Sequence, residues 1–232
     1  MKIIKGKIII KKTYLYIFFI IFFLSCSSND ESYEILSVEE IISLSSNQIL
    51  NSKSFTFSLN HQNGSTELPG DYNISQAKGN IEKPNKISID ADIISNNFLL
   101  KVSYLSLNEK YWITNPISFD WMETPSEDNP FLNINPINIL SDIYLEIKNT
   151  EIIEYKNEQY KIKAKINSNN LTSLVGEIII FNSDVDIELL INSNGFVKNI
   201  YIFGKVQPKD SKQTIREIKF NNWNKKLIWI EP

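Results

Sequence analysis

The chain holds one histidine, His61, and one cysteine, Cys26, and these two residues narrow the chemistry open to it. A single histidine with no further cysteine cannot assemble a His- or Cys-based metal site, so no metal is expected. His61 could act as the base of a Ser-His-acid triad, but no G-x-S-x-G elbow supplies the nucleophile. It falls instead at the end of an alternation of Phe55, Phe57 and Leu59, which points it inward as a partly buried polar residue. Asp184, Asp186 and Glu188 recur at period two and share one strand face, where carboxylates could bind calcium. A calcium loop needs glycine at its sixth position, however, and Leu189 stands there. The intervening Val185, Ile187, Leu189 and Ile191 make the acidic residues the solvated side of a strand. Seven scattered glycines form no phosphate-cradling loop. Trp112, Trp121, Trp223 and Trp229 could build a sugar-stacking platform or fill a core and its rim. No catalytic constellation emerges. The expectation is a binding module without cofactor rather than an enzyme.

Cys26 has a context of its own. Residues 1–25 carry five lysines and no acid, with the uncharged apolar run YLYIFFIIFFL at positions 14–24 and Ser25 before the cysteine. That is the basic, apolar and small-residue order of a secretory signal, and eleven residues fall short of the ~20 that cross a bilayer as a helix. Phe23-Leu24-Ser25-Cys26 resembles the lipobox of bacterial lipoproteins, in which the cysteine thiol is diacylated and becomes the new N-terminus. An exported chain with a single cysteine has no partner for an internal disulfide, which agrees with that use. The expected organisation is a signal peptide over 1–25, a lipidated cysteine and polar tether over 26–36, and one domain over 37–232. The protein is expected to be exported and anchored through its lipid to the outer face of the cell membrane.

The whole chain of 232 residues has 24 basic and 27 acidic residues. Removing the five lysines of the leader leaves 19 basic residues against 27 acidic ones, a body of about −8. Such a surface repels phosphate backbones, so nucleic acids are excluded as partners.

Ser37-Val38-Glu39-Glu40 has capping-box spacing and opens a helix to about Asn51. The apolar period then becomes two, over residues 55–59, 87–93 and 98–104, with a phase slip at Tyr104-Leu105 that predicts a bulge or bend. Further strands are expected over 147–155, 160–166, 177–181, 184–191, 196–205, 215–220 and 227–230, joined by short polar links that imply antiparallel pairing. Between Pro125 and Asn149, Ile137, Leu140, Ile143 and Tyr144 predict one more helix, introduced by Asn135-Pro136. Roughly ten strands with one apolar face, and only two or three helices to cover it, give an α+β domain dominated by antiparallel sheet, for which a strongly curved sheet wrapped around a few helices is one solution.

The segment Lys110–Pro125 (KYWITNPISFDWMETP) resembles a signature of the LppX/LprAFG family of bacterial lipoproteins, through Tyr111, Thr114, Pro116, Trp121 and Pro125. Where family members usually have a threonine and a glycine near the tryptophan, this chain reads Ile117-Ser118-Phe119-Asp120. Ser52–Phe57, Gly79 ahead of Lys83-Pro84, Asn194–Val197 and Phe220–Trp223 agree in order, so the similarity runs from about Ser37 to Pro232. The resemblance implies a curved antiparallel half-barrel with helices on its concave face, similar to the carriers of the Lol system. It also implies that acylated lipids or glycolipids are held in an apolar cavity and carried within the envelope, by a monomer. Cavity-lining candidates are the inward phase of the strands: Phe55, Phe57, Leu59, Ile87, Ile89, Leu100, Val102, Ile179, Phe181, Val185, Ile187, Leu189 and Ile191. Periodicity defines the face and not the void, so a filled core serving a surface interaction or adhesion module is the rival, with an envelope hydrolase behind it.

Overall fold

The computed structural model describes residues 35–125 and 134–232, of which Leu36–Pro232 belong to one compact unit. The leader, Cys26 and the tether residues 27–32 lie outside the described residues.

Asparagine does much of the turning in this chain. Strands β1 (Ser54–Gln62), β2 (Thr66–Leu68), β3 (Tyr72–Glu82), β4 (Lys86–Ser95), β5 (Phe98–Leu107), β6 (Lys110–Thr114) and β7 (Trp121–Glu123) precede a short helix. Strands β8 (Lys148–Lys156), β9 (Gln159–Asn167), β10 (Asp184–Asn192), β11 (Val197–Phe203) and β12 (Ile215–Asn221) follow it. Asn96-Asn97, Asn108-Glu109 and Asn157-Glu158 close the β4–β5, β5–β6 and β8–β9 hairpins, and all six residues have positive φ. Two-residue loops of that kind match the twist of the flanking strands, and asparagine tolerates the left-handed region better than most residues. A sequence with few glycines can therefore still fold as a chain of hairpins.

All pairings are antiparallel, in the order β7-β6-β5-β4-β3-β1-β12-β11-β10-β9-β8, with β2 attached to β3. The sheet is curved and unclosed, with β7 and β8 at its edges. Its inner face is covered by α1 (Val38–Asn51), α2 (Ile139–Leu145), a 3₁₀ turn (Ser168–Leu171) and the single turn α3 (Thr172–Val175). α1 has the boundaries expected of it. Ser37 Oγ accepts from the Glu40 backbone N–H at 3.3 Å, and the Ser37 N–H donates to Glu40 Oε2 at 2.8 Å, closing the capping box. Ile41 and Ile49 of α1 and Ile139, Leu140 and Ile143 of α2 enter the same core as the inward residues of the sheet.

Four sequence expectations are corrected. β3, eleven residues near the middle of the sheet, escapes notice because Ser75 bulges and shifts the phase between Ile74 and Gln76. Second, β5 has no bulge at Tyr104-Leu105, since its register with β4 runs unbroken from Phe98 to Ser106. The apolar phase changes there because the outer face is also covered. Leu105, Leu107 and Trp112 form a second cluster under Trp229, whose indole N–H donates to Glu82 Oε2 at 2.9 Å. Third, residues 227–230 consequently pack as an irregular tail and not as a strand. Finally, residues 177–181 are irregular too, and Phe181, offered as cavity lining, is 64% exposed. A 3₁₀ turn and α3 take up the chain before it, so Phe181 falls in a turn ahead of β10 instead of on the inner face.

Candidate functional site

The inward phase of the strands does converge on one apolar face, but most of that face is sealed. Phe55, Val185, Ile187, Leu189, Ile191 and Ile179 lie in the continuous core beneath the helices, and Ile187, Leu189 and Ile191 have no exposed surface. Val102 is buried and Leu100 half-buried on β5. Space remains elsewhere, between β4–β6 and residues 134–137. There Ile87, Ile89, Tyr104 and Tyr111 face Ile134, Pro136 and Ile137 across a recess of about 240 Å³, with Pro84, Asn85, Ser106 and Asn135 also lining it. A void of about 20 Å³ lies beyond, walled by Phe57, Leu59, Ile74, Ala77 and Leu174. Ile89, Ile134 and Pro136 line both spaces, so one layer of side chains separates them.

Gly79 makes room for part of this wall. It pairs with Phe57 and Ile89 on either side, and a Cβ there would lie 2.7 Å from the Phe57 ring and 2.2 Å from the Ser88 carbonyl oxygen.

At the strand end of the inner face, where β1 meets β12, the lining turns polar. His61 and Arg216 sit opposite one another in the β1–β12 register. Arg216 is fully buried, and its Nη1 and Nη2 donate to Asp210 Oδ2 and Oδ1 at 2.8 and 2.9 Å. Nη2 also reaches Gln207 Oε1 and the Ser65 carbonyl, and Nε reaches Thr66 Oγ1. Asp210 Oδ2 accepts in addition from the Val206 and Gln207 backbone N–H groups at 2.9 and 2.7 Å. Gln207 in turn bonds both backbone groups of Glu67 and the Val175 carbonyl, tying β2 and α3 to this loop. Both charges are thus matched by fixed partners, which a buried ion pair requires. Sequence reasoning missed this cluster, yet it left a signal. Arg216 is the chain's one arginine among 24 basic residues, and it holds an inward position beside Ile218 and Phe220, where only a forked, paired cation is tolerable.

His61 belongs to the same network. Its Nδ1 donates to the carbonyl of the bulged Ser75 at 2.8 Å, so Nε2 accepts from Thr66 Oγ1 at 2.9 Å. Burial is the main reason its pKa falls from 6.5 to about 4. The Ser75 carbonyl and Asp210 oppose that fall, and Arg216 adds to it. The unfolded chain then binds a proton that the folded protein refuses between these two values. Stability is therefore complete above pH 6.5 and is lost as pH falls toward 4. Unfolding free energies from urea titrations at pH 7.5 and pH 5 should differ by about 2 kcal/mol from this group, and His61→Gln should remove that difference. A histidine engaged at both nitrogens by structural partners braces the polar end of the face.

The other candidates disperse. Asp184, Asp186 and Glu188 lie on the outer face and pair with Lys148, Lys165 and Lys161 at 2.9, 3.5 and 2.8 Å, a cross-strand ladder on solvated ground. Trp223 packs at a tilt against the rings of Phe55, Phe196 and Phe220, Trp112 and Trp229 share the outer cluster, and Trp121 is exposed, so the four form no common platform. Among the described residues no helix is long and apolar enough to cross a membrane.

An open, curved antiparallel sheet with short helices on its concave face defines the class of fold. Solved structures share it, two of them mycobacterial. LprF from Mycobacterium bovis superposes with a TM-score of 0.64 over 84% of this chain and 96% of its own, at 17% identity. The lipoprotein LppX from Mycobacterium tuberculosis gives 0.54 over 83% of this chain and 99% of its own, at 11% identity. No family model matches the chain, and no curated protein matches it in sequence. The fold implied by the LppX/LprAFG resemblance is the fold observed.

Proposed function

We propose that the protein is an envelope lipoprotein that holds an acylated lipid or glycolipid against the concave face of its sheet and carries it within the envelope. The observation that supports this best is the recess between Ile87, Ile89, Tyr104 and Tyr111 and the facing segment at Ile134–Ile137, whose lining is part apolar and part polar. Its binding force is desolvation, about 0.8 kcal/mol for each methylene taken out of water. At about 240 Å³ the recess is smaller than the pockets of about 300–1,000 Å³ that enclose drug-sized ligands. An acyl chain of lipid length is therefore accommodated by displacing residues 134–139, which opens the recess into the void beneath. In this reading residues 1–25 are the export signal, Cys26 carries the diacyl anchor, residues 27–36 are the tether, and the lipid-binding domain acts as a monomer. Acyl groups on Cys26 in protein extracted from membranes are the expected result for the anchor.

Native mass spectrometry of the chain from Ser27 onward, exported to a bacterial envelope on a removable leader, tests the ligand. Lipid released on denaturation is the expected result. Ile87→Trp, which fills the recess from a half-buried position, should lower loading several-fold at a cost of about 1–3 kcal/mol in stability. A folded protein that stays empty in every lipid extract would reject the reading. It would favour the second one, an interaction module with a filled core, for which the complete burial of Ile187, Leu189 and Ile191 speaks.

A further inference from the structure

Two connections at the same end of the sheet expose large apolar side chains. The β4–β5 hairpin presents Phe98 and Leu99, 71% and 60% exposed. The loop between β6 and β7 leaves toward the same end from the strand beside β5, where Ile113 pairs with Tyr104, and presents Ile117 and Phe119 at 86% and 62%. We propose that this end inserts into a lipid bilayer surface, with Phe98, Leu99, Ile117 and Phe119 as the inserting side chains and Trp121 at the interfacial level.

Two features favour a bilayer over a protein partner. Phe98 and Leu99 are neighbours on a strand, so their side chains leave opposite faces of the sheet. A partner docked on either face would cover one of them, whereas a medium that envelops the tip buries both. The second feature is the backbone of residues 115–120. Ile117 and Ser118 N–H donate to Asn115 Oδ1, Phe119 N–H to the Asn115 carbonyl, Asp120 N–H to Ser118 Oγ, and Asn115 N–H to the Asp120 carbonyl. With its N–H groups satisfied internally, the loop has fewer backbone groups to desolvate, which lowers the penalty for leaving water. These bonds also hold Phe119 at φ 64, a conformation rare for a bulky residue, with its ring in solvent. Asp120 is the only charge of the 115–120 loop, and no basic residue stands in it. Insertion therefore depends on apolar burial and is insensitive to salt, unlike attraction of basic residues to anionic lipid.

The chain from Ser27 onward contains no cysteine, so Phe119→Cys introduces a single thiol for an environment-sensitive fluorophore. Glu158→Cys, on the β8–β9 hairpin at the opposite end of the strands, is the control. With phosphatidylcholine vesicles the label at 119 should brighten and shift to shorter wavelength, equally at low and high salt, while the label at 158 stays unchanged. Ile117→Ser with Phe119→Ser, labelled at Phe98→Cys, should weaken vesicle affinity about 100-fold. No response at 119, or the same response at both positions, overturns the proposal. A shift at 119 that needs no vesicles and grows with protein concentration also overturns it and assigns the tip to a second copy of the chain. The tip is independent of the concave face, because vesicle insertion and lipid retained in native mass spectra are read separately.

Discussion

Replacing Asp210 with alanine is expected to lower the free energy of unfolding by about 3–5 kcal/mol, the usual cost of stranding one member of a buried ion pair. Arg216 would keep its charge with no exposed surface and lose two donor contacts to the missing carboxylate. The Val206 and Gln207 amides would lose their acceptor as well. A domain of this kind has only about 5–15 kcal/mol in total, so the variant should be marginal at 37 °C. Asp210→Asn retains one oxygen that can accept from Arg216 or the loop, and should fall between the wild type and Asp210→Ala. Urea unfolding of the three proteins by linear extrapolation measures the series. A loss below about 1 kcal/mol in Asp210→Ala would mean that water reaches Arg216 and that the network is not closed.

Gly79→Ala is expected to cost about 3 kcal/mol, at the upper end of what overpacking does to a well-filled interior. The added methyl meets two obstacles of different softness. Phe57 can turn its ring away from a contact of 2.7 Å, but the Ser88 carbonyl at 2.2 Å is held in the ladder of the neighbouring strand. Removing the ring in a Phe57→Leu background should therefore relieve part of the cost and leave the rest. A double-mutant cycle on Gly79→Ala and Phe57→Leu isolates the ring contribution. If the two substitutions are additive, the carbonyl contact alone sets the need for glycine. Because Phe57 walls the small void, the same pair should also change the space behind the recess.

Much of the fold is readable in residue order because local physics forces it. The Ser37–Glu40 box, the 3.6-residue period after it and the alternations in β1, β4, β9, β10 and β12 each report one side facing a core. β3 was unreadable for an equally physical reason. A bulge at Ser75 and a glycine at 79 remove the alternation from a strand whose place is assured by its partners on both sides. The phase change in β5 was readable but ambiguous: a bulge and a second apolar cover produce the same string of residues, and only the position of Trp229 distinguishes them.

The site divides in the same way. Sequence periodicity placed Phe57, Leu59, Ile87 and Ile89 on the inner face, and they do line its open spaces. It placed Ile187, Leu189 and Ile191 there with equal force, and these are sealed. The polar cluster was beyond reach, because Thr66, Gln207 and Asp210 come from segments without period and meet Arg216 only through the folded chain. Sequence alone, then, determined the antiparallel α+β class and the inward face of its strands, both properties of neighbours along the chain. Only the tertiary structure decided how much of that face stays open, what balances the buried arginine and where the exposed apolar residues gather. Those outcomes depend on which distant segments fill the same volume, and volume is shared in space, not in sequence.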